Sequence, residues 1–229
     1  MSARLFLFDI DCTLIDTGGA GLRAITATVE KIFGNEGPPL DLAGSTDSGI
    51  VRGLFEHFDR PHDAAIEAEF YAVYLPLMKR NLESDEFEGK VLPGVVRLIE
   101  ALESDGHTLG LLTGNIEQGA IVKAAHYGLA EHFQFGAFGD DHWDRNKLGP
   151  IALERANRHA GKLFSADDIL VIGDTPKDVA CAHALGAPCL AVATGSFNAD
   201  QLRECGADQV LETLEGAEEN LLSHARSGI

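Results

Sequence analysis

Asp9 and Asp11 stand one residue apart at the end of the apolar run Leu5-Phe6-Leu7-Phe8, with Thr13 two residues further on. The run reads as a buried strand. A buried strand that ends in two carboxylates needs a reason, because an ionised carboxylate is costly to desolvate unless it is paired or bound to a metal. Open α/β sheets also hold their ligands at the carboxyl ends of their strands. The pair could therefore do metal-dependent group transfer, one carboxylate acting as nucleophile and its neighbour as acid and base. The competing reading is an Asx-turn in which both side chains only cap backbone amides.

Three later stretches have the same form. Residues 109–112 read as a buried strand that ends in Thr113-Gly114-Asn115, where a helix over about 117–127 begins. Free amides at such a helix start suit an anion, although Thr113 or Asn115 could simply be N-caps. Residues 133–138 read as a strand ending in Gly139-Asp140-Asp141; Arg145-Asn146-Lys147-Leu148-Gly149-Pro150 then leads into a helix, which makes Lys147 a candidate site cation. Residues 169–172 read as the clearest buried strand and run into Gly173-Asp174-Thr175-Pro176-Lys177-Asp178, again followed by a helix. A short strand at 189–192, a possible edge strand at 209–211 and helices near 199–204 and 214–225 complete the pattern. Strands alternating with helices imply an α/β fold, a mostly parallel sheet with helices on both faces. Asp9/Asp11, Thr113/Asn115 and Asp174/Asp178 would then emerge on one edge of the sheet.

The segment that interrupts this pattern is all-helical. Asp16-Thr17-Gly18-Gly19-Ala20-Gly21 reads as a hinge, since no Gly-Lys-Ser/Thr follows to make a phosphate-binding loop. Apolar periodicity predicts a helix over 22–33, a break over 34–39, a helix N-cap in Gly44-Ser45-Thr46-Asp47 and a further helix opened by residues 61–63 and running to 82. Residues 83–89 suit a second hinge. The expected division is a core of 1–17 and 83–229 interrupted by an all-helical segment of 18–82.

The 229 residues carry 18 Lys plus Arg against 36 Asp plus Glu, a net charge of −18. Such a charge disfavours nucleic acid and anionic membranes as partners. A phosphorylated substrate would need a local positive centre. The four cysteines have no CxxC spacing and read as reduced thiols. The N-terminus runs directly into the first strand, and no long apolar span follows. A cytoplasmic location is the expectation.

Taken in order, Asp9-x-Asp11-x-Thr13, the strand leading to Thr113-Gly114-Asn115, Lys147 and Gly173-Asp174-x-x-x-Asp178 resemble the haloacid dehalogenase-like hydrolase superfamily. Gly173-Asp174-Thr175-Pro176 and Thr17-Gly18-Gly19-Ala20-Gly21 are most similar to its phosphoglycolate-phosphatase-like branch. The resemblance covers essentially the whole chain. It implies a Rossmann-like core with an inserted helical cap, and a Mg²⁺-dependent phosphatase acting on a small phosphorylated metabolite through an aspartyl-phosphate.

The resemblance also implies roles. Asp9 is the nucleophile and Asp11 the acid and base, while Thr13 steadies their loop. Thr113, with the amides of Gly114 and Asn115, holds the phosphoryl oxygens, and Lys147 neutralises charge. Asp174 binds Mg²⁺ with Asp9 and the Asp11 carbonyl; Asp178 ligates through water or orients Lys147. Thr46 and Asp47 sit where the cap contacts the leaving group, with Arg52 just beyond. Two departures stand out. Cys12 replaces the usual Gly, which motivates the hypothesis that oxidants inactivate the protein. The usual Lys-Pro-x-Pro becomes Lys147-Leu148-Gly149-Pro150, which leaves Arg145 as the alternative cation. The alternatives to a phosphatase are a β-phosphoglucomutase-like phosphomutase and a non-catalytic sensor of a phospho-metabolite. Asp11 argues against dehalogenation, since a halide needs no proton donor. A Schiff-base mechanism would need a cap lysine, and Lys31 and Lys79 read as surface. Either a monomer or a homodimer is compatible with the sequence.

Overall fold

The computed structural model describes residues 3–227; residues 1, 2, 228 and 229, the outer ends of the expected core segments, lie outside the described residues. The chain begins with β1 (Leu5–Phe8), whose four side chains are all buried. Alternation explains how four consecutive apolar residues are used. Phe6 and Phe8 point into one apolar cluster and Leu5 and Leu7 into the other, on opposite faces of the sheet. Full burial of each contributes roughly 1.5–3 kcal/mol.

The main sheet continues with β4 (Thr108–Leu112), β5 (Gly136–Ala137), β6 (Ile169–Gly173), β7 (Cys189–Val192) and β8 (Gln209–Leu211). Their order is β5-β4-β1-β6-β7-β8, every pairing parallel. Helices α4 (Val95–Ser104), α5 (Glu117–His126), α6 (Leu148–Ala160), α7 (Pro176–Leu185), α8 (Ala199–Glu204) and α9 (Ala217–Ser227) connect or follow these strands. The parallel α/β architecture expected from the sequence is therefore present. β1 lies at the centre, and the chain departs to β4 on one side and β6 on the other, which leaves a crevice beyond its carboxyl end.

Between β1 and β4 the chain forms α1 (Ala20–Phe33), α2 (Asp47–His57) and α3 (Ala64–Leu82), which share a third apolar cluster that includes Val29, Leu54, Phe70 and Met78. Thr46 and Asp63 cap α2 and α3 with their side chains, as the sequence pattern suggested. The sequence reading missed one pairing beside the two expected hinges: β2 (Ile15–Asp16) lies antiparallel to β3 (Lys90–Val91). The strand expected at 133–138 is shorter. A 3-10 turn at Ala130–His132 comes first, and only Gly136–Ala137 pair with β4. Among the described residues, no helix is long and apolar enough to cross a membrane.

Candidate active site

The β1–β6 register sets Phe8 beside Ile172, and the ladder runs one step further, with Asp9 N donating to Ile172 O at 2.9 Å. Asp9 is thereby fixed next to the start of the Gly173-Asp174 turn. Carboxylate oxygens of Asp9, Asp174 and Asp178 all lie within 4.8 Å of one another, and all three residues are buried. A glycine across from them makes room. A Cβ at Gly195 would come within 1.9 Å of Asp174 Oδ2, closer than any real contact.

The cation facing this cluster is Arg145. Its Nη2 lies 3.2 Å from Asp9 Oδ1 and also pairs with Asp178 Oδ1, and the arginine is only 6% exposed. Lys147, the expected cation, is a correction: it is exposed and does not line the cavity. The two residues share a 3-10 turn, Arg145–Lys147, that closes immediately before α6. Three residues per turn set positions two apart on different sides, so only one of the pair faces the core.

Asp178 closes a capping box with Thr175. Its Oδ2 accepts from Thr175 N at 2.9 Å and Thr175 Oγ1 at 2.7 Å, while Arg145 takes Oδ1. Its oxygens are thus engaged, and it orients Arg145. Thr13 donates to Asp174 Oδ1 at 3.3 Å. Thr113 is fully buried outside the cavity lining, where its hydroxyl accepts from Asn115 Nδ2 at 2.8 Å.

Burial dominates the acid–base character of the cluster. It pushes Asp9 up to about 6, with Arg145 pulling down and Asp178 and Asp11 pushing up. Burial, then Asp178 and Asp9, push Asp174 up to about 9. Burial works against the charge on Arg145, but Asp178 and Asp9 outweigh it and hold the guanidinium firmly ionised. One cation thus serves a group of buried carboxylates that remains short of positive charge.

Asp11 is held by a residue that the sequence reading did not single out. Lys123, on α5, places Nζ 2.8 Å from Asp11 Oδ1, 2.7 Å from Oδ2 and 2.6 Å from Asn115 Oδ1. Asn115 Nδ2 also donates to Asp11 Oδ2, at 2.8 Å. The signal for Lys123 was a lysine on the apolar stripe of its helix, among the buried Gly119, Ala120 and Ala124. Cys12 has a left-handed backbone, φ 58°, in the position where the family usually carries Gly. Burial, then the charges of Asp174 and Asp11, push its thiol up to about 12.

The loop before α2 is docked on the core. Asp47 N donates to Gly114 O at 2.7 Å, Arg145 Nη1 to Gly44 O at 3.1 Å, and Lys177 Nζ to Ser45 Oγ at 2.6 Å. Gly114 permits the approach, since a Cβ there would lie 2.0 Å from Ser45 O. The docked loop, α1 and the carboxyl ends of the strands enclose a cavity of about 350 Å³. Asp9, Asp11, Gly114, Asn115, Asp174 and Asp47 line it. Thr46 does not: it donates to Trp143 O at 2.6 Å, caps α2 and lines a separate groove. The expectation that it contacts the leaving group is corrected accordingly, because its hydroxyl is spent on the cap.

Residues 6–192 match the family model of haloacid dehalogenase-like hydrolases. The chain belongs to the haloacid dehalogenase-like hydrolase family. It is 30% identical to a phosphoglycolate phosphatase of Mesorhizobium japonicum over 85% of each chain. It is 28% identical to phosphoglycolate phosphatase 1 of Pseudomonas aeruginosa, over 92% of this chain and 77% of that one. CbbY from Rhodobacter sphaeroides, solved with phosphate, superposes with a TM-score of 0.74 at 18% identity, covering 93% and 95% of the two chains. A predicted phosphatase from Clostridium acetobutylicum gives 0.70 at 21% identity, covering 97% and 100%. The chain is thus a phosphatase-type hydrolase of this family, as its motif order implied.

Asp47 gives this phosphatase a pH-dependent stability. Its Oδ2 accepts from Ile116 N at 2.9 Å, and burial pushes the acid from 3.8 up to about 6 against the pull of Lys123 and that amide; Asp11 and Asp140 add to the push. Between pH 3.8 and about 6 the folded chain holds a proton that the unfolded chain has released, so stability falls as pH rises through this window. Asp47→Asn keeps the acceptor for Ile116. It should therefore be more stable than the wild type at pH 8, on the order of 2 kcal/mol, and equal to it near pH 4. Urea midpoints of both proteins across that range test this; a less stable variant at pH 8 contradicts it.

Proposed function

We propose that the protein hydrolyses the phosphate ester of a small metabolite through an aspartyl-phosphate on Asp9, with Mg²⁺ as its metal. The observation that carries this reading is a buried carboxylate at the tip of the central strand, 3.2 Å from Arg145 and within 4.8 Å of two further carboxylates. Hard carboxylate oxygens in a cluster short of positive charge are a donor set that fits Mg²⁺. Asp9, Asp174 and the Asp11 carbonyl would hold the ion, with Asp178 behind them on Arg145. Bound there, Mg²⁺ would screen the phosphoryl oxygens from the nucleophile.

The chain's own residues do the rest. Asp9 attacks phosphorus as the bond to the leaving oxygen breaks, and Asp11 gives that oxygen its proton. Asp11 then takes a proton from the water that opens the aspartyl-phosphate. The amides of Gly114 and Asn115 and the guanidinium of Arg145 bind the phosphoryl oxygens where charge is greatest. Lys123 and Asn115 set the resting position of Asp11. Four free cysteines fit a cytoplasmic setting.

A panel of phosphorylated metabolites, scored by free phosphate with Mg²⁺ and again with excess EDTA, tests the reading. Release that EDTA abolishes is expected, together with a phosphoryl adduct on the peptide carrying Asp9 after acid quench. Turnover indifferent to EDTA, or an adduct on another residue, defeats it. An isomerised sugar phosphate in place of free phosphate would mean a mutase.

A further inference from the structure

The cavity is walled on the helical side by Leu22, Ile25, Leu42, Ile50 and Tyr74, and the one charged residue of α1–α3 among its lining is Asp47. Asp47 is 8% exposed, and only its Oδ2 is engaged, by Ile116 N; its Oδ1 accepts no hydrogen bond from the described residues. Two cations line the cavity among the described residues, and both are committed. Lys123 directs its ammonium at Asp11 and Asn115. Arg145 pairs with Asp9, Asp178 and the carbonyls of Gly44 and Leu112 and serves the phosphoryl end of the site; its Nε is buried and has no hydrogen-bond partner. Asp16, at the hinge, adds a further acid to the lining.

From this distribution we infer that the leaving alcohol carries a hydrogen-bond donor, a hydroxyl or an ammonium group, for Asp47 and bears no carboxylate. The inference rests on the phosphatase reading and deepens it. A carboxylate brought into the cavity would meet an apolar wall and an acid, with no cation free to receive it. Juxtaposed like charges of this kind oppose binding strongly. A donor-bearing group would satisfy the open oxygen of Asp47. The volume of about 350 Å³ lies near the lower limit for ligand sites, which suits a small substrate. The chain would thus part from relatives named for phosphoglycolate, which is itself a carboxylate.

The test measures kcat/KM with Mg²⁺ for four substrates: glycerol phosphate, phosphoethanolamine, 2-phosphoglycolate and p-nitrophenyl phosphate as reporter. The wild type should prefer at least one of the first two over 2-phosphoglycolate by on the order of a hundredfold. Which of the two is faster separates hydroxyl from ammonium. Reporter turnover together with 2-phosphoglycolate as the best ester overturns the inference and leaves the phosphatase reading standing. No phosphate from any of the four overturns both. Asp47→Asn and, independently of the Ile116 contact, Ile50→Arg should move the ratio toward 2-phosphoglycolate by about tenfold or more. The readout is a ratio, which a general loss of folded enzyme leaves unmoved. An unchanged ratio in both variants counts against the inference.

Discussion

Asp9→Asn is expected to lower phosphate release by at least about three orders of magnitude while the fold persists. Asn fills the same volume and can still meet Arg145, but its amide cannot attack phosphorus. Stability should hold or rise. Asp9 is one of the charges that push Asp174 up, and its loss leaves Arg145 paired with Asp178. Phosphate release and thermal unfolding measured on the same preparation check both halves. Activity within about tenfold of wild type would remove Asp9 as the nucleophile, and loss of the folded state would show that its charge is structural.

Arg145→Ala should be the substitution that damages the fold most, and it should also slow turnover. It leaves buried Asp9 and Asp178 without their cation, a cost of about 3–5 kcal/mol. It also releases Gly44 of the docked loop. Turnover should fall about a hundredfold or more through loss of the positive charge at the phosphoryl group. Arg145→Lys should recover only part of either property. The planar fork reaches Asp9, Asp178 and the Gly44 carbonyl at once, and a single ammonium on a flexible stem cannot. Lys147→Ala is the matched control, and turnover close to wild type is expected from it. Denaturant midpoints and kcat for the three variants test the assignment. If Lys147→Ala were the variant that lost activity, the cation would have to be reassigned to Lys147.

Local pattern was sufficient for most of the elements. The run before Asp9, the strands before Thr113 and Asp174 and the helices of residues 18–82 could be read from periodicity, because a strand or helix of ordinary length writes its buried face into its own residues. β2 and β3 could not, since two residues carry no period and their pairing joins positions far apart in the chain. The 133–138 reading overran β5 for a related reason: Phe133 and Phe135 are partly buried against two different apolar clusters, and only Gly136 and Ala137 are in register with β4.

The acids of the site were legible for the same local reason. Asp9, Asp174 and Asp178 each follow a hydrophobic strand, and the cost of burying a carboxylate marks them as paired or ligating. Their cations were not. Arg145 and Lys147 are both basic and two residues apart, and only the 3-10 turn decides which of them faces the carboxylates. Lys123 lies 112 residues from Asp11 and meets it only because α5 packs beside the end of β1. Composition and motif order alone determined the family, the sheet and the identity of the acidic residues. Tertiary structure decided which positive charges offset them and which wall the leaving group meets, because an ion pair depends on distance in space and a local sequence pattern carries none.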